Sequence, residues 1–459
     1  MRCYLLVDFG STYTKLNLVD IDKSEIMGSA SAYTTVESNV KTGFLNALEK
    51  LKGKVNFKEI EIVETLACSS AGGGLKMIAI GITPEFTVEA AKRSALGAGS
   101  RLLKTYSYFL TDDDVMEIDE LRPDILLLTG GAEKGNTRYI IHNAKKLTQL
   151  KSPIPIVVAG NSSGQDEIRE MFEKNNMKFV ITENVMPDVN VINPNPAREV
   201  IRKIFMEQIV KAKGMEEVQK ITNEILMPTP TAVLKSAELL AKGTKRYPGL
   251  GDLMIIDIGG ATTDVHSISE PLQDKGFLLD GLGDVVEKRT VEGDLGMRYS
   301  ALSLLESVGE DNFLKFDSSL EDVEGSCLYR KNNPGYLPEN EVEKKFDLIM
   351  AKNCTEVATK RHSGKVRQSY VNGKNVIVQR GKDLRNIEYV IGTGGVIVNN
   401  SSYEEILSQC QIDEENLLCP ISPEYKVDKK YIMSAMGVLS IKDPDMAYKI
   451  LYENIIEED

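Results

Sequence analysis

Histidine is scarce in this chain. Only three residues (His142, His266 and His362) occur among 459, none of them paired at metal-ligand spacing. That argues against a zinc site or a Ser-His-Asp hydrolase. Six cysteines (Cys3, Cys68, Cys327, Cys354, Cys410 and Cys419) are scattered without a Cys-x-x-Cys pair. The pattern fits buried free thiols in a reducing compartment, not a disulfide framework. No apolar run reaches the roughly 18 to 20 residues that cross a bilayer. The opening MRCYLLVDFGST has too short an apolar core before Asp8 to act as a secretory signal. The expectation is a cytoplasmic protein. Basic residues are also outnumbered, 55 Lys plus Arg against 68 Asp plus Glu, for a net charge of −13. An acidic surface repels phosphate backbones, so neither nucleic acid nor an anionic membrane is expected as a partner.

With 42% hydrophobic and 27% charged residues, the composition is that of a globular protein, and the length suits two or three domains. Apolar β-type runs recur at 4–10, 14–21, 60–68, 75–81, 124–131 and 154–161, with helical patterns at 40–52, 84–103 and 135–150 between them. This alternation predicts an α/β protein with helices packed on a mixed sheet. A second α/β block opens at 253–268 and resumes at 389–395 after a polar stretch at about 306–385, which reads as an inserted subdomain. The turn at 244–252 places the domain boundary, giving 1–249 and 250–459.

Two motifs occur twice. DFGSTYTK (8–15) and DIGGATTD (257–264) share Asp-x-Gly-x-x-x-Thr directly after an apolar strand, and LLLTGG (126–131) and VIGTGG (390–395) share a strand followed by Thr-Gly-Gly. Their common order and similar separations predict an internal duplication, two related halves facing a cleft. A glycine-rich turn at a strand end lets backbone N–H groups approach a phosphate without a Cβ in the way. Gly10, Gly259, Gly260 and Ala261 form the candidate turns. Ser11, Thr12, Thr14, Thr262 and Thr263 offer hydroxyls, Lys15 a positive charge, and Asp264 a neighbouring acid. Asp8 and Asp257 are the candidate catalytic and metal-holding carboxylates. Their mutual repulsion is relieved by a divalent cation such as Mg²⁺, which is typically held by one or two carboxylates plus nucleotide phosphates.

These residues resemble a known superfamily. DFGSTYTK is similar to the phosphate-1 loop of actin, the sugar kinases and the seventy-kilodalton heat-shock chaperones, and DIGGATTD to their phosphate-2 loop. VEGDLGMRYSALSLLE (291–306) resembles the turn and helix that follow that loop. GTGGV resembles the adenosine loop, which makes Gly392, Thr393, Gly394 and Gly395 candidates for the base and ribose. PTAVLKSAELLAKG (230–243) and SAMGVLSI (434–441) resemble the two connecting helices. The resemblance implies two duplicated actin-like (ribonuclease H-like) domains flanking a nucleotide cleft, with ATP or ADP and Mg²⁺ as cofactors. One position departs from it. The chaperones carry Glu just before Pro-Thr-Ala, where this chain has Thr229, so the attacking water is left to Asp8, Asp257 or Glu292.

CSSAGGGLKMIAIG, TENVMPDVNVINPNPARE, MPTPTAVLKSAELLAKGT and KRTVEGDLGMRYS are closer still to the MutL (GlmL) proteins of glutamate mutase clusters, which share only a name with the mismatch-repair protein. That resemblance implies an accessory ATPase related to the large subunit of diol dehydratase reactivases. Its partner would be an adenosylcobalamin-dependent mutase such as glutamate (methylaspartate) mutase, and its task the exchange of damaged cobalamin. Other readings of the same motifs are an ATP-dependent amidohydrolase of hydantoinase A or oxoprolinase type, a small-molecule kinase, and a nucleotide-switched interaction or filament protein. The sequence leaves the oligomeric state open, homo-oligomer included.

Overall fold

The computed structural model describes residues 1–10, 13–34, 39–70, 75–209, 224–274, 276–371 and 373–457. The chain divides into two compact units, Met1–Val233 with Gly281–Gly283, and Leu234–Asp280 with Asp284–Asp459. No helix among the described residues is long and apolar enough to cross a membrane.

The first unit opens with three antiparallel strands, β1 (Arg2–Phe9), β2 (Tyr13–Asp20) and β3 (Glu25–Tyr33). Helix α1 (Val40–Lys52) follows, started by the Asn39 side chain, which accepts from the Lys41 N–H. Strand β4 (Glu61–Ser69) runs parallel to β1, and β10 (Glu224–Pro228) runs parallel to β4, so the sheet order is β10-β4-β1-β2-β3. Side chains alternate along a strand. Leu5, Val7 and Phe9 therefore share a core with Val40, Phe44, Ala47 and Leu51 of α1, and Asp8 emerges on the opposite face.

Between β4 and β10 the chain builds a second sheet from β5 (Lys76–Gly81), β6 (Arg101–Ser107), β7 (Ile125–Leu128), β8 (Ile156–Val158) and β9 (Phe179–Ile181). Every pairing in it is parallel, in the order β6-β5-β7-β8-β9. Parallel sheets are covered on both faces and read as continuous apolar runs, as Ile125–Leu128 does. Met77, Ala79, Leu127 and Val157 face helices α2 (Glu89–Gly97) and α6 (Asn195–Ile209). Ile78, Ile80, Leu126, Leu128, Ile156 and Val158 face α4 (Arg138–Leu147) and α5 (Gln165–Lys174). Helix α3 (Asp112–Leu121) is opened by a capping box between Thr111 and Asp114.

Helix α7 (Thr229–Lys242) begins in the first unit and ends in the second. The second unit repeats the mixed sheet: β11 (Leu253–Ile258), β12 (Thr263–Ile268) and β14 (Glu287–Glu292) are antiparallel, and β17 (Tyr389–Thr393) and β18 (Glu424–Val427) add parallel strands in the order β14-β12-β11-β17-β18. The strand order and senses match those of the first sheet one for one. The fold is α/β, with the same five-stranded mixed sheet built twice. Within 306–385 lie α9 (Glu310–Phe316), α10 (Val323–Asn332) and α11 (Glu341–His362), after α8 (Ala301–Val308). Strands β13 (Phe277–Leu279), β15 (Lys365–Val371) and β16 (Lys374–Arg380) form a small sheet. Helix α11 is part of the framework, because Ile349, Met350, Cys354 and Ala358 pack with Met254, Ile256 and Ile258 of β11.

The topology corrects one step of the duplication argument. β17, which ends in Thr393-Gly394-Gly395, lies beside β11, but β7, which leads to Thr129-Gly130-Gly131, belongs to the parallel sheet and does not neighbour β1. The counterpart of β17 is β4, whose Cys68 pairs with Asp8 as Thr393 pairs with Asp257. By that register Ser69 and Ser70 stand in the places of Gly394 and Gly395, and the glycine run at 71–74 lies outside the described residues.

Two histidines, His266 and His362, are buried in the second unit. His362 at the end of α11 sits 2.8 Å from both Thr290 Oγ1 of β14 and Ser267 Oγ of β12. Burial, then the Arg289 charge, lowers the His266 pKa to about 3, and burial lowers that of His362 well below its usual value. A neutral histidine in the fold contributes stability that is complete above the unfolded pKa of about 6.5 and is lost as pH falls toward the folded value. Between pH 7 and 5 the unfolding free energy should therefore drop by about 2 kcal/mol on account of His266, and His362 should act in the same direction. Denaturant unfolding of His266→Leu over that range should show a shallower slope. A slope equal to that of the wild type would mean that His266 titrates normally.

Candidate functional site

In the first unit, β1 and β2 are joined at Gly10, whose N–H donates to the Tyr13 carbonyl at 3.1 Å. Asp8, 3% exposed, lies directly across from Lys15 in register, with Lys15 Nζ 4.0 Å from Asp8 Oδ2. Its other oxygen, Oδ1, accepts from the Thr229 hydroxyl at 2.6 Å and from the Cys68 thiol at 3.5 Å. Burial first, and then the Asp8 charge, pushes the Cys68 pKa well up, so the thiol keeps its proton. Thr14 is fully buried and shares a 2.9 Å hydrogen bond with Thr34 Oγ1. Ser11 and Thr12 lie outside the described residues.

The second unit repeats the turn. The Gly259 N–H donates to the Thr262 carbonyl at 2.9 Å, as Gly10 does to Tyr13. Asp257 is half-buried at the end of β11 and stands across from Asp264. Asp264 thus takes the place of Lys15, with the opposite charge. Arg289 neutralises it through Nε at 2.9 Å and Nη2 at 2.6 Å, and the Thr262 hydroxyl donates to it at 3.2 Å. Thr263 turns inward and donates to the Leu295 carbonyl at 2.8 Å.

The carbonyls of this second turn are all engaged. Gly259 accepts from the Met297 N–H at 3.0 Å, Gly260 from the Arg298 N–H at 2.8 Å, and Ala261 from the Ser300 hydroxyl at 2.7 Å. The approach is so close that a Cβ on Gly296 would lie 2.6 Å from the Ala261 carbonyl carbon. Among the described residues, the N–H groups of Gly260, Ala261 and Thr262 donate to no acceptor. Successive backbone donors of this kind form a concavity for an anion. Arg298 is held elsewhere, by Asp347 at 2.7 Å. Asp347 also receives Arg330, whose side chain is fully buried. Glu292 is ion-paired with Arg361 at 2.7 Å, and Arg361 also meets Asp294 at 2.8 Å.

Gly392–Gly395 follows from β17 beside β11. Gly394 has φ +95°, and a Cβ there would sit 2.3 Å from the Ile258 carbonyl oxygen, so this loop rests on the strand end that carries Asp257. The Thr393 hydroxyl reaches Asp428 at 3.4 Å, and Asp428 accepts from the Ile432 and Met433 N–H groups at the start of helix Met433–Leu439. Gly395 opens a short helix, Gly395–Val398.

The family model described as MutL protein matches residues 4–455. The chain belongs to the MutL protein family. It is 50% identical to Protein MutL of Clostridium tetanomorphum over 462 residues, covering 100% of both chains. Among solved structures, it is similar to nucleotide-free acetone carboxylase, at 13% identity over 95% of this chain and 70% of that one with a TM-score of 0.42. It is also similar to a glycerol dehydratase reactivase, at 10% identity over 96% and 99% of the two chains with a TM-score of 0.35. Both structural likenesses are too distant to carry a functional assignment.

Within this MutL family member, the donors to Asp8 escaped the sequence argument. Cys68 is a buried free thiol, as the sequence suggests, and Thr229 stands where the chaperones carry an acid; both donate to Asp8. Ser300, which fastens the second turn, lies in the 291–306 motif. The signal for Cys68 was its place before a glycine run at a strand end, the same grammar as Thr393. The contact at Gly394 gives a direct test. Gly394→Ala forces a Cβ against Ile258 at an unfavourable φ and should lower stability by at least about 1–3 kcal/mol. Gly335→Ala, with nothing within 4 Å of the added carbon, should melt like the wild type. Equal melting of the two variants would contradict the close approach.

Proposed function

We propose that this protein is a Mg-ATP-binding accessory ATPase of the reactivase kind, serving an adenosylcobalamin-dependent mutase such as glutamate (methylaspartate) mutase by promoting exchange of damaged cobalamin. The observation that carries the ATP part is the repeated turn: a carboxylate at the end of the central strand, followed by a glycine whose N–H closes the turn. Full-length kinship with the MutL family supports the mutase part.

In this reading the N–H groups of Gly260, Ala261 and Thr262 bind phosphate oxygens, with Lys15 adding positive charge and Gly392–Gly395 accepting the adenosine. Asp8 and Asp257 would hold the cation. Two carboxylate donors fit Mg²⁺, a hard cation that takes oxygen ligands. Mg²⁺ characteristically uses one or two carboxylates and takes the rest of its shell from phosphates and water. When bound, the cation neutralises phosphate charge. No covalent nucleophile is needed, because phosphoryl transfer to water rests on positioning and charge stabilisation. Asp8, Asp257 and Glu292, the last ion-paired with Arg361, are the candidate acids for water. Nucleotide state then biases a conformational equilibrium that the partner reads through its differential affinity.

Two measurements test this. Calorimetric titration should show binding of ATP and ADP with Mg²⁺ present. Asp8→Ala and Asp257→Ala should weaken the Mg²⁺-dependent part about 10- to 100-fold, as loss of a charged hydrogen bond worth about 1.5–3 kcal/mol implies. Absence of adenine nucleotide binding would remove the ATPase reading. For the partner, the cognate mutase is loaded with an inactive cobalamin analogue and then given this protein, Mg-ATP and fresh adenosylcobalamin. Activity should return only with ATP, and Asp257→Ala should abolish the recovery. Equally fast exchange without this protein would contradict the reactivase role.

A further inference from the structure

Resting on the nucleotide reading above, we propose that Thr229 is the positioning residue for Asp8. Its hydroxyl fixes which carboxylate oxygen faces the magnesium–phosphate group, and ties that carboxylate to the first turn of α7.

The strand register brings the partners together. Met227 of β10 pairs with Cys68 of β4, and Cys68 pairs with Asp8 of β1, so the three form one row across parallel strands. Thr229 lies two residues beyond Met227, as the first residue of α7. From there its Oγ1 donates to Asp8 Oδ1 at 2.6 Å, a length typical of a hydroxyl bound to a charged oxygen. The Cys68 thiol donates to the same oxygen at 3.5 Å, and Thr229 Oγ1 and Cys68 Sγ are 3.8 Å apart. Lys15 faces the other oxygen, Oδ2.

Two donors thus converge on Oδ1 from one side, and the cationic side of the site meets Oδ2. A hydroxyl has one proton, and here it is given to Asp8, so Thr229 is not poised to activate water itself. What it supplies is orientation. A carboxylate free to rotate would expose its two oxygens interchangeably; one pinned through Oδ1 keeps Oδ2 on the side of Lys15. The bond also couples the carboxylate to α7, whose residues after Val233 belong to the second unit.

The test is ADP calorimetry on the full chain, in Mg²⁺ and again in EDTA, with wild type, Thr229→Val and Thr229→Ser. Each variant's melting midpoint is checked first, and Thr229→Ala replaces the valine variant if that one is unfolded. The ratio of the two affinities measures how well the carboxylate serves the cation. Thr229→Val should lose about tenfold or more of the wild-type ratio with its EDTA affinity nearly unchanged, and Thr229→Ser should keep the ratio. A Thr229→Val ratio equal to that of wild type overturns the inference, as does an equal loss in the serine variant, which retains the hydroxyl. Wild type that binds ADP no better in Mg²⁺ than in EDTA overturns the inference and leaves nucleotide binding standing. Wild type that binds no ADP overturns both.

Discussion

A carboxylate at the end of a buried strand is costly unless donors meet it, and both mixed sheets end their central strand on one. In the first unit the Asp8 carboxylate is met by Thr229, Cys68 and Lys15, which arrive from three different strands or helices. In the second, Asp257 stands opposite Asp264, and a second carboxylate so close is tolerable because Arg289 neutralises it. The rest of each domain can be understood as what holds these neighbours in place. Parallel strands bring the partners into one row, a helix covers the opposite face, and a glycine turn closes immediately beyond the acid. The second turn is braced further by Met297, Arg298 and Ser300, which take up its carbonyl groups, while the N–H groups of Gly260, Ala261 and Thr262 donate to no acceptor among the described residues.

Much of this was legible in the sequence, because short-range chemistry was. Asp-x-Gly-x-x-x-Thr after an apolar run describes a strand, a tight turn and a second strand, and both copies fold that way. Strand periodicity also sorted Leu5, Val7 and Phe9 from Asp8. Strand partnership was not legible, since nothing in LLLTGG or VIGTGG says which strand lies alongside. The two runs look alike because both are parallel strands ending in a loop, a similarity of local physics rather than of place. Hydroxyl direction was equally hidden. Thr14 and Thr263 belong to the motifs, yet period two turns them into the sheet, against Thr34 and Leu295. Thr229 could be identified as a departure from the related chaperones, but its use as a donor to a residue far away in sequence needed the sheet order.

The parallel sheet between β4 and β10 is the largest feature that the duplication does not explain. Its order β6-β5-β7-β8-β9 is that of doubly wound domains, in which ligands lie beyond the carboxyl ends of the strands. At that edge, past β8 and β9, lies an open polar cavity of about 570 Å³ bordered by Glu133, Ser162, Gln165 and Asn184. Glu133 accepts from the Ser162 N–H at 3.2 Å and from the Asn184 amide at 2.8 Å. Several of its polar groups thus satisfy one another, in contrast to the row of N–H groups on the second turn.

Amide hydrogen exchange of the full chain with and without saturating Mg-ADP tests the proposed phosphate placement most directly. Protection should increase in segments 8–16, 257–264 and 392–396, the two turns and the loop resting on Ile258. Protection confined to 129–135, 159–165 and 182–187, the loops at the carboxyl edge of the parallel sheet, would contradict the account.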